Sequence, residues 1–218
     1  MKKQILTALL ALTVPTAASA ATMTLGTIDD GSVRTFGGAV VDTVDTSVSV
    51  AQSGGNITNG VFEFNLAAID DTATINSVSF QWTNSRFVSN TGALAAVDLF
   101  AYLGDGTVSI ADYDAAGDQV ADTSVAKGGS GGDVTTIAFT DLGMVTTALL
   151  GDLLSVRFET DSFASFRVAS LENSTWDAAR LVVDYTPAPV TAVPLPASGL
   201  LLLGALGGVA GLRRRKKA

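Results

Sequence analysis

The pattern that most limits how this chain can fold is a period of two, repeated in short runs along its middle. Phe62, Phe64 and Leu66 alternate with Glu63 and Asn65, and Val78, Phe80 and Trp82 alternate with Ser77, Ser79, Gln81 and Thr83. Leu154, Val156, Phe158 and Thr160 alternate in the same way with Ser155, Arg157 and Glu159, and Phe166 and Val168 follow; Leu181, Val183 and Tyr185 alternate with Val182 and Asp184. Successive side chains of a strand point to opposite faces, so each run predicts a strand with one apolar face and one wet face. Trp82 shares a parity with Phe80, which assigns it to the core.

The segment from Thr22 to Val50 is rich in Val and Thr, with Val40, Val44, Val48 and Val50 on one parity and Thr43, Asp45, Ser47 and Ser49 on the other. It also reads as half-buried strands. Val97 to Leu103 is apolar on both parities and is expected to be enclosed more deeply or to lie between two sheets. Gln52 to Asn56 predicts a loop and Gly128 to Gly132 a break. A short helix is expected over Asp141 to Leu150, with Asp141 as N-cap and Gly151 as stop. Eight or more short strands with at most one or two short helices predict an all-β chain, an antiparallel β-sandwich of jelly-roll-like form.

The two ends do not follow this pattern. Lys2 and Lys3, an apolar run from Ile5 to Val14, and Ala18-Ser19-Ala20 form the three parts of a signal peptide, so 1–20 is expected to be removed at Ala18 and Ala20. At the other end Val193, Pro194, Leu195, Pro196 and Ala197 precede an uncharged run that reaches Leu212, followed by Arg213, Arg214, Arg215, Lys216 and Lys217. Sixteen helical residues from Ala197 span about 24 Å, slightly less than a hydrocarbon core of about 30 Å. A transmembrane helix is therefore expected over 198–212, with 213–218 as a cytoplasmic tail, because the cationic cluster resists translocation. Pro187, Pro189, Pro194 and Pro196 make 188–197 an extended linker. Residues 21–187 remain as one exported domain.

Composition narrows what that domain can do. Seven of the thirteen cations lie in the end segments, leaving Arg34, Arg86, Lys127, Arg157, Arg167 and Arg180 against all 21 acids, a net charge of −15. Such a surface repels nucleic acid. There is no Cys and no His, which removes disulfides, Cys/His zinc sites, thiol nucleophiles and the Ser-His-Asp triad.

The Pro-containing motif, short apolar helix and terminal Arg/Lys cluster together resemble the PEP-CTERM class of sorting signals, with V-P-L-P-A at 193 to 197 in the form of its VPLPA variant. That resemblance covers about 26 of the 218 residues. It implies an exosortase as partner, acting at the Pro motif. It also implies a precursor held in the inner membrane of a Gram-negative bacterium by its C-terminal helix, and then a place at the cell surface or in an exopolysaccharide matrix. The exported part resembles DNRLRE-type domains, which are similar to carbohydrate-binding modules. The resemblance is carried by Val61 to Ile69, Ile75 to Phe80, Gly151 to Phe158 and Ala179 to Tyr185, and it departs from that family where Ala179-Arg180 replaces a Pro before the last strand.

Three kinds of chemistry are open to the exported part. Asp105-Gly106 with Ser109 and Asp112 follows the second half of an EF-hand calcium loop, but Ala101 and Leu103 occupy the first two ligand positions and carry no side-chain oxygen. A different calcium site from Asp112, Asp114, Asp118 and Asp122 is left open beside the simpler reading of a turn. Trp176, after Asn173-Ser-Thr, and Tyr113, between two Asp, are the candidate sugar-binding aromatics, with Trp82 a third whose parity with Phe80 favours the core. Carboxylate pairs such as Asp29/Asp30, Asp70/Asp71 or Asp112/Asp114 have the composition of a glycosidase site, but among 21 acids such pairs are expected by chance. The expectation is a non-enzymatic structural or adhesive surface protein with no required cofactor. The alternatives are a carbohydrate-binding module for exopolysaccharide, calcium-dependent or not, and a carboxylate-based glycan-active enzyme.

Overall fold

A computed structural model describes residues 19–86 and 88–189 of the chain. Ala18, the motif Val193 to Ala197, the expected helix over 198–212 and the cations Arg213 to Lys217 lie outside the described residues. Ala20 lies within them, exposed and directly before the first strand. No helix among the described residues is long and apolar enough to cross a membrane.

The described part is mostly antiparallel β-sheet. Its strands are β1 (Ala21–Arg34), β2 (Val40–Asp42), β3 (Ser47–Ser53), β4 (Asn56–Asn65), β5 (Thr74–Thr83) and β6 (Ser89–Asn90). They continue with β7 (Leu94–Leu103), β8 (Asp118–Ala126), β9 (Val134–Ala138), β10 (Leu153–Glu159), β11 (Ala164–Ala169) and β12 (Arg180–Thr186). The longest, β1, changes partner partway along. Ala21 to Gly26 pair with β12; from Thr27 the strand pairs with β4, with an irregularity between Thr27 and Asp29, and at Ser32 to Arg34 β2 pairs on the other side. Such an irregularity bends and twists a strand, and here it divides the sheet in two. One part runs β1-β12-β5-β9. The other continues from β4 through β10 to β7 and β8, and from β4 through β3 to β11 and β6.

The apolar positions of the two parts meet in one core. Phe62 of β4 and Phe80 of β5 have ring centroids 5.2 Å apart, and Phe80 lies 5.6 Å from Trp82. Trp82 is 5.1 Å from Phe158 of β10, and Phe158 is 4.9 Å from Phe166 of β11. Trp82 is 1% exposed, and its indole N–H donates to Asn84 Oδ1 at 3.0 Å, so its polar atom is satisfied inside the core. The helix α1 (Gly143–Ala148) and the 3-10 turn Leu149–Gly151 add Val145, Ala148 and Leu149 to the same cluster.

Several local expectations are corrected. Val44 is 82% exposed and Val40 is also exposed, because both belong to the β2 hairpin and its turn, and only Val48 and Val50 reach the core. The helix starts later than expected, with Leu142 as N-cap, and Asp141 accepts the Gly143 N–H at 2.7 Å. It ends at Asp152 in the left-handed conformation (φ 62), a region that Asp tolerates better than most residues.

The largest correction concerns the face of β4 expected to be wet. Glu63 is fully buried on it, beside Val61, which joins Val33 and Val108 in a second small apolar cluster. The connection between β7 and β8, residues 104–117, brings Val108 and Tyr113 to that face. The same cover explains why β7 is apolar on both parities. Its odd positions Val97, Leu99 and Ala101 enter the core, while Tyr102 is buried and Phe100 half-buried on the other side. The Arg157 guanidinium lies 5.1 Å from the Phe100 ring centroid and 5.9 Å from that of Tyr102.

Candidate functional site

The antiparallel pair β3 and β11 sets up the most elaborate surface of the domain. Its register places Val50 opposite Phe166 and Val48 opposite Val168, all four buried. Alternation then sends Ser47, Ser49 and Ala51 of β3, and Ser165 and Arg167 of β11, to the other face, with Arg167 directly opposite Ser49. Small side chains on this face leave a floor on which Arg167 is the one long group.

Loops raise walls at one end of the floor. Asn173 organises the segment between β11 and β12. Its Oδ1 accepts the backbone N–H groups of Thr175 and Trp176, both at 2.9 Å, and its Nδ2 donates to the Thr46 carbonyl at 2.8 Å. Ser170 Oγ donates to the Asp45 carbonyl at 2.7 Å, which ties the same segment to the turn before β3. Within that turn Asp42 Oδ1 accepts from Val44 and Asp45, and Asp45 Oδ1 accepts from Thr46. Ser85, just past β5, donates from its backbone N–H and its hydroxyl to the Arg167 carbonyl, at 2.7 and 3.1 Å.

Trp176 is half-buried at this wall. Its indole rests on the Gly131-Gly132 backbone, where a Cβ at either glycine would come within 2.8 Å of the ring. Gly132 also has φ +95, so both the open space and the backbone conformation call for glycine. The glycine-rich break is thus the seat of the indole.

These walls enclose a cleft of about 430 Å³ lined by Trp176, Asn173, Asp45, Thr46, Arg86 and Arg167, among others. A second cleft of about 310 Å³ shares Asp45 and Arg167 and extends along the floor to Ser49, Thr58, Asp42 and Arg34. The lining offers one aromatic face, several hydroxyls that both donate and accept, carboxylates that accept and guanidinium groups that donate. This combination suits a hydroxylated ligand with a flat apolar face. A third cleft, of about 280 Å³, lies beside Thr24, Gly26 and Ala178 to Arg180.

The carboxylates with raised pKa line none of these three clefts. Asp30 on β1 is 1% exposed and is pushed up to about 7 by burial, with Glu172 and Asp29 adding to the rise. One of its oxygens accepts the Leu171 N–H at 3.0 Å, and the other has no hydrogen-bond partner among the described residues. Glu63 is raised by burial even though the Ser155 hydroxyl and the Gly106 N–H both donate to it. Asp98 is raised to about 6 by burial and by the nearby charges of Asp161, Asp122 and Glu159.

The residues singled out from sequence fall in separate places. Trp176 lines the cleft. Tyr113 closes the 3-10 turn Ile110–Tyr113 and packs on Val33, Val61 and Val108, away from Trp176 and from the three clefts. Asp112 is buried, and its two oxygens are taken by the Tyr102 hydroxyl at 3.0 Å and the Ser109 N–H at 2.7 Å. Burial first, then the charge of Asp112 and the bond to it, push the Tyr102 hydroxyl well above its ordinary range. Asp114, Asp118 and Asp122 are exposed, the first at the end of the 3-10 turn and the others on β8. Among the described residues no group of three or more Asp or Glu is gathered closely enough to hold a metal ion. Of the carboxylate pairs, Asp29 accepts the Val108 N–H at 2.8 Å, and Asp70 accepts from Thr72, which holds its pKa below the usual carboxylate range.

Asn173, Asp45, Arg34, Arg86 and Arg167 were not legible as cleft residues. The one local signal was the outward parity of Arg167 between Phe166 and Val168. Compared with known protein families and with curated proteins, the chain matches none.

Proposed function

We propose that this chain is an exported structural or adhesive protein of a cell envelope or extracellular matrix, whose β-sandwich of jelly-roll-like form grips a glycan in the Trp176 cleft. What carries the reading is Trp176 itself. It is a large aromatic held half-open on a glycine seat, at the rim of a cleft whose other lining groups are almost all polar. An indole face covers the apolar C–H face of a sugar ring, while Asn173, Asp45 and the surrounding hydroxyls exchange hydrogen bonds with the ring's hydroxyls. Binding without cleavage is the favoured role, because a glycosidase needs a carboxylic acid of raised pKa beside the scissile bond. The carboxylates raised here lie elsewhere in the fold.

The test is glycan-array binding by the full-length chain. Trp176→Ala is expected to lower affinity for whichever glycan is retained by about 5- to 150-fold, as loss of one stacked aromatic costs about 1–3 kcal/mol. Its thermal midpoint should stay close to that of the parent. Undiminished binding by the variant would remove the cleft as the site.

Export and sorting rest on the sequence signals at both ends. In this reading the signal peptide delivers the chain across the inner membrane, the apolar run holds it there, and an exosortase acts at Val193 to Ala197. Replacing Arg213 to Lys217 by serine is expected to shift the protein out of the inner-membrane fraction and change the size of the mature product. An unchanged distribution and product would rule out this role for the cluster.

A further inference from the structure

The charge distribution around the Trp176 cleft points to the class of glycan. The exported part carries six cations against 21 acids, so an arginine on its surface has acidic partners to spare. Arg157 uses one, pairing with Glu159, and Arg180 has Asp177 at 3.8 Å and Gln81 beside it. Arg34, Arg86 and Arg167 make no ion pair and no side-chain hydrogen bond among the described residues, although Asp42 and Asp45 line the same clefts. Lys127 is likewise without an ionic partner, but it lines none of the three clefts. Among the described residues, half of the domain's cations thus stand unpaired along one trough, three against two carboxylates whose Oδ1 atoms accept turn N–H groups. The domain as a whole is strongly anionic.

We propose that the two adjoining clefts form one binding trough for an acidic glycan, with Trp176 stacking on a sugar ring and Arg86, Arg167 and Arg34 receiving successive anionic groups. This rests on the glycan-binding reading and adds the ligand's charge. Guanidinium groups meet carboxylates and sulfates through paired, charge-assisted hydrogen bonds, and the half-buried Arg167 does so over a floor of serines. The register gives the trough its length. Arg34 lies opposite Thr58, Thr58 opposite Ala51 and Ala51 opposite Ser165, so three strand spacings, roughly 14 Å, separate Arg34 from the strand that bears Arg167. The three arginines are spread over the two adjoining clefts, so the ligand proposed to engage all of them is an oligomer. Single-stranded nucleic acid also combines flat rings with anions, but the trough offers one aromatic and many hydroxyls, and the rest of the surface repels a dense polyanion.

The experiment titrates the full-length chain, kept in a polyoxyethylene detergent that carries no sugar, with matched pairs of ligands at one ionic strength. One pair is oligogalacturonate and its methyl ester, and the other is dextran sulfate and dextran. The charged member of at least one pair should bind at least tenfold more tightly, and the pair that does so identifies carboxylate or sulfate. Arg86→Gln with Arg167→Gln should weaken the charged member far more than the neutral one, so that most of the preference is lost. Arg167→Lys should retain part of it, since charge survives and the planar fork does not. Circular dichroism melting of each variant shows whether the fold is kept. If charged and neutral members bind alike, if the double variant keeps its preference, or if single-stranded DNA binds as tightly as the acidic glycans, the acidic-glycan proposal is overturned. In those cases sensitivity of the remaining glycan binding to Trp176→Ala would preserve the underlying reading. Retention of no glycan at all, on these pairs and on the array, would overturn both.

Discussion

Phe158→Ala is expected to remove about 3–5 kcal/mol of stability, the range for losing a fully buried aromatic. Phe158 is fully buried and touches both parts of the sheet, with Trp82 of β5 at 5.1 Å and Phe166 of β11 at 4.9 Å. Its loss opens a cavity where three strands from different regions of the sequence meet, and two ring contacts, each about 0.5–1.5 kcal/mol, go with it. A domain of this size has about 5–15 kcal/mol in all, and this one has no cysteine to cross-link its unfolded state. Urea unfolding should show a large fall in the midpoint, with the slope little changed. Phe163→Ala is the control. Phe163 is 56% exposed, and its truncation should shift stability by less than about 0.5 kcal/mol. Equal losses from the two variants would mean that the aromatic chain does not hold the sheets together.

That core was the part most legible in the sequence, because alternation is a local signal. Phe62, Phe64, Phe80, Trp82, Phe158 and Phe166 each declare an inward face within five residues of chain, and the strands follow from that. What failed was the assumption that the other face meets water. Glu63 has the parity of a wet position, yet 104–117 folds back over it. Nothing local to Glu63 reports a cover supplied by residues some forty positions later. The cleft has the same difficulty in stronger form. Trp176 and its Asn-Ser-Thr approach stood out as a polar loop with one aromatic. Its seat at Gly131 and Gly132, its tie to Thr46 and its neighbours Arg86 and Arg167 come from four separate stretches. Their meeting is fixed by the registers of β3 with β11 and β5 with β12, which no single segment encodes. Val44 shows the limit of parity alone. It keeps phase with Val48 and Val50, but Asp42 and Asp45 bind turn backbone around it and the strand has not yet begun.

The same gap between parity and cover makes stability depend on pH, with a sign opposite to that of ordinary ion-paired carboxylates. Asp30 has a folded pKa of about 7 against 3.8 ordinarily, mainly because burial disfavours its charge. Between those values the unfolded chain has released the proton and the folded chain keeps it. Stability is therefore fully present below about pH 4 as far as this group is concerned, and is lost as pH rises through 7. Each pH unit across the window costs about 1.4 kcal/mol, so Asp30 alone contributes a fall on the order of 4 kcal/mol. Glu63 is displaced in the same direction and adds to it. Asp30→Asn separates this group from the general self-repulsion of an anionic domain. Its amide keeps an acceptor for the Leu171 N–H, while the second position, already without a partner in the parent, costs about 1–3 kcal/mol at every pH if left so. The diagnostic is therefore the slope and not the absolute stability. Urea midpoints from pH 4 to 8 should fall steeply for the parent and much less for Asp30→Asn, with the two curves converging or crossing toward alkaline pH. Parallel curves would show that Asp30 titrates alike in the folded and unfolded chain, and that its burial beneath the loop at Leu171 is not maintained in solution.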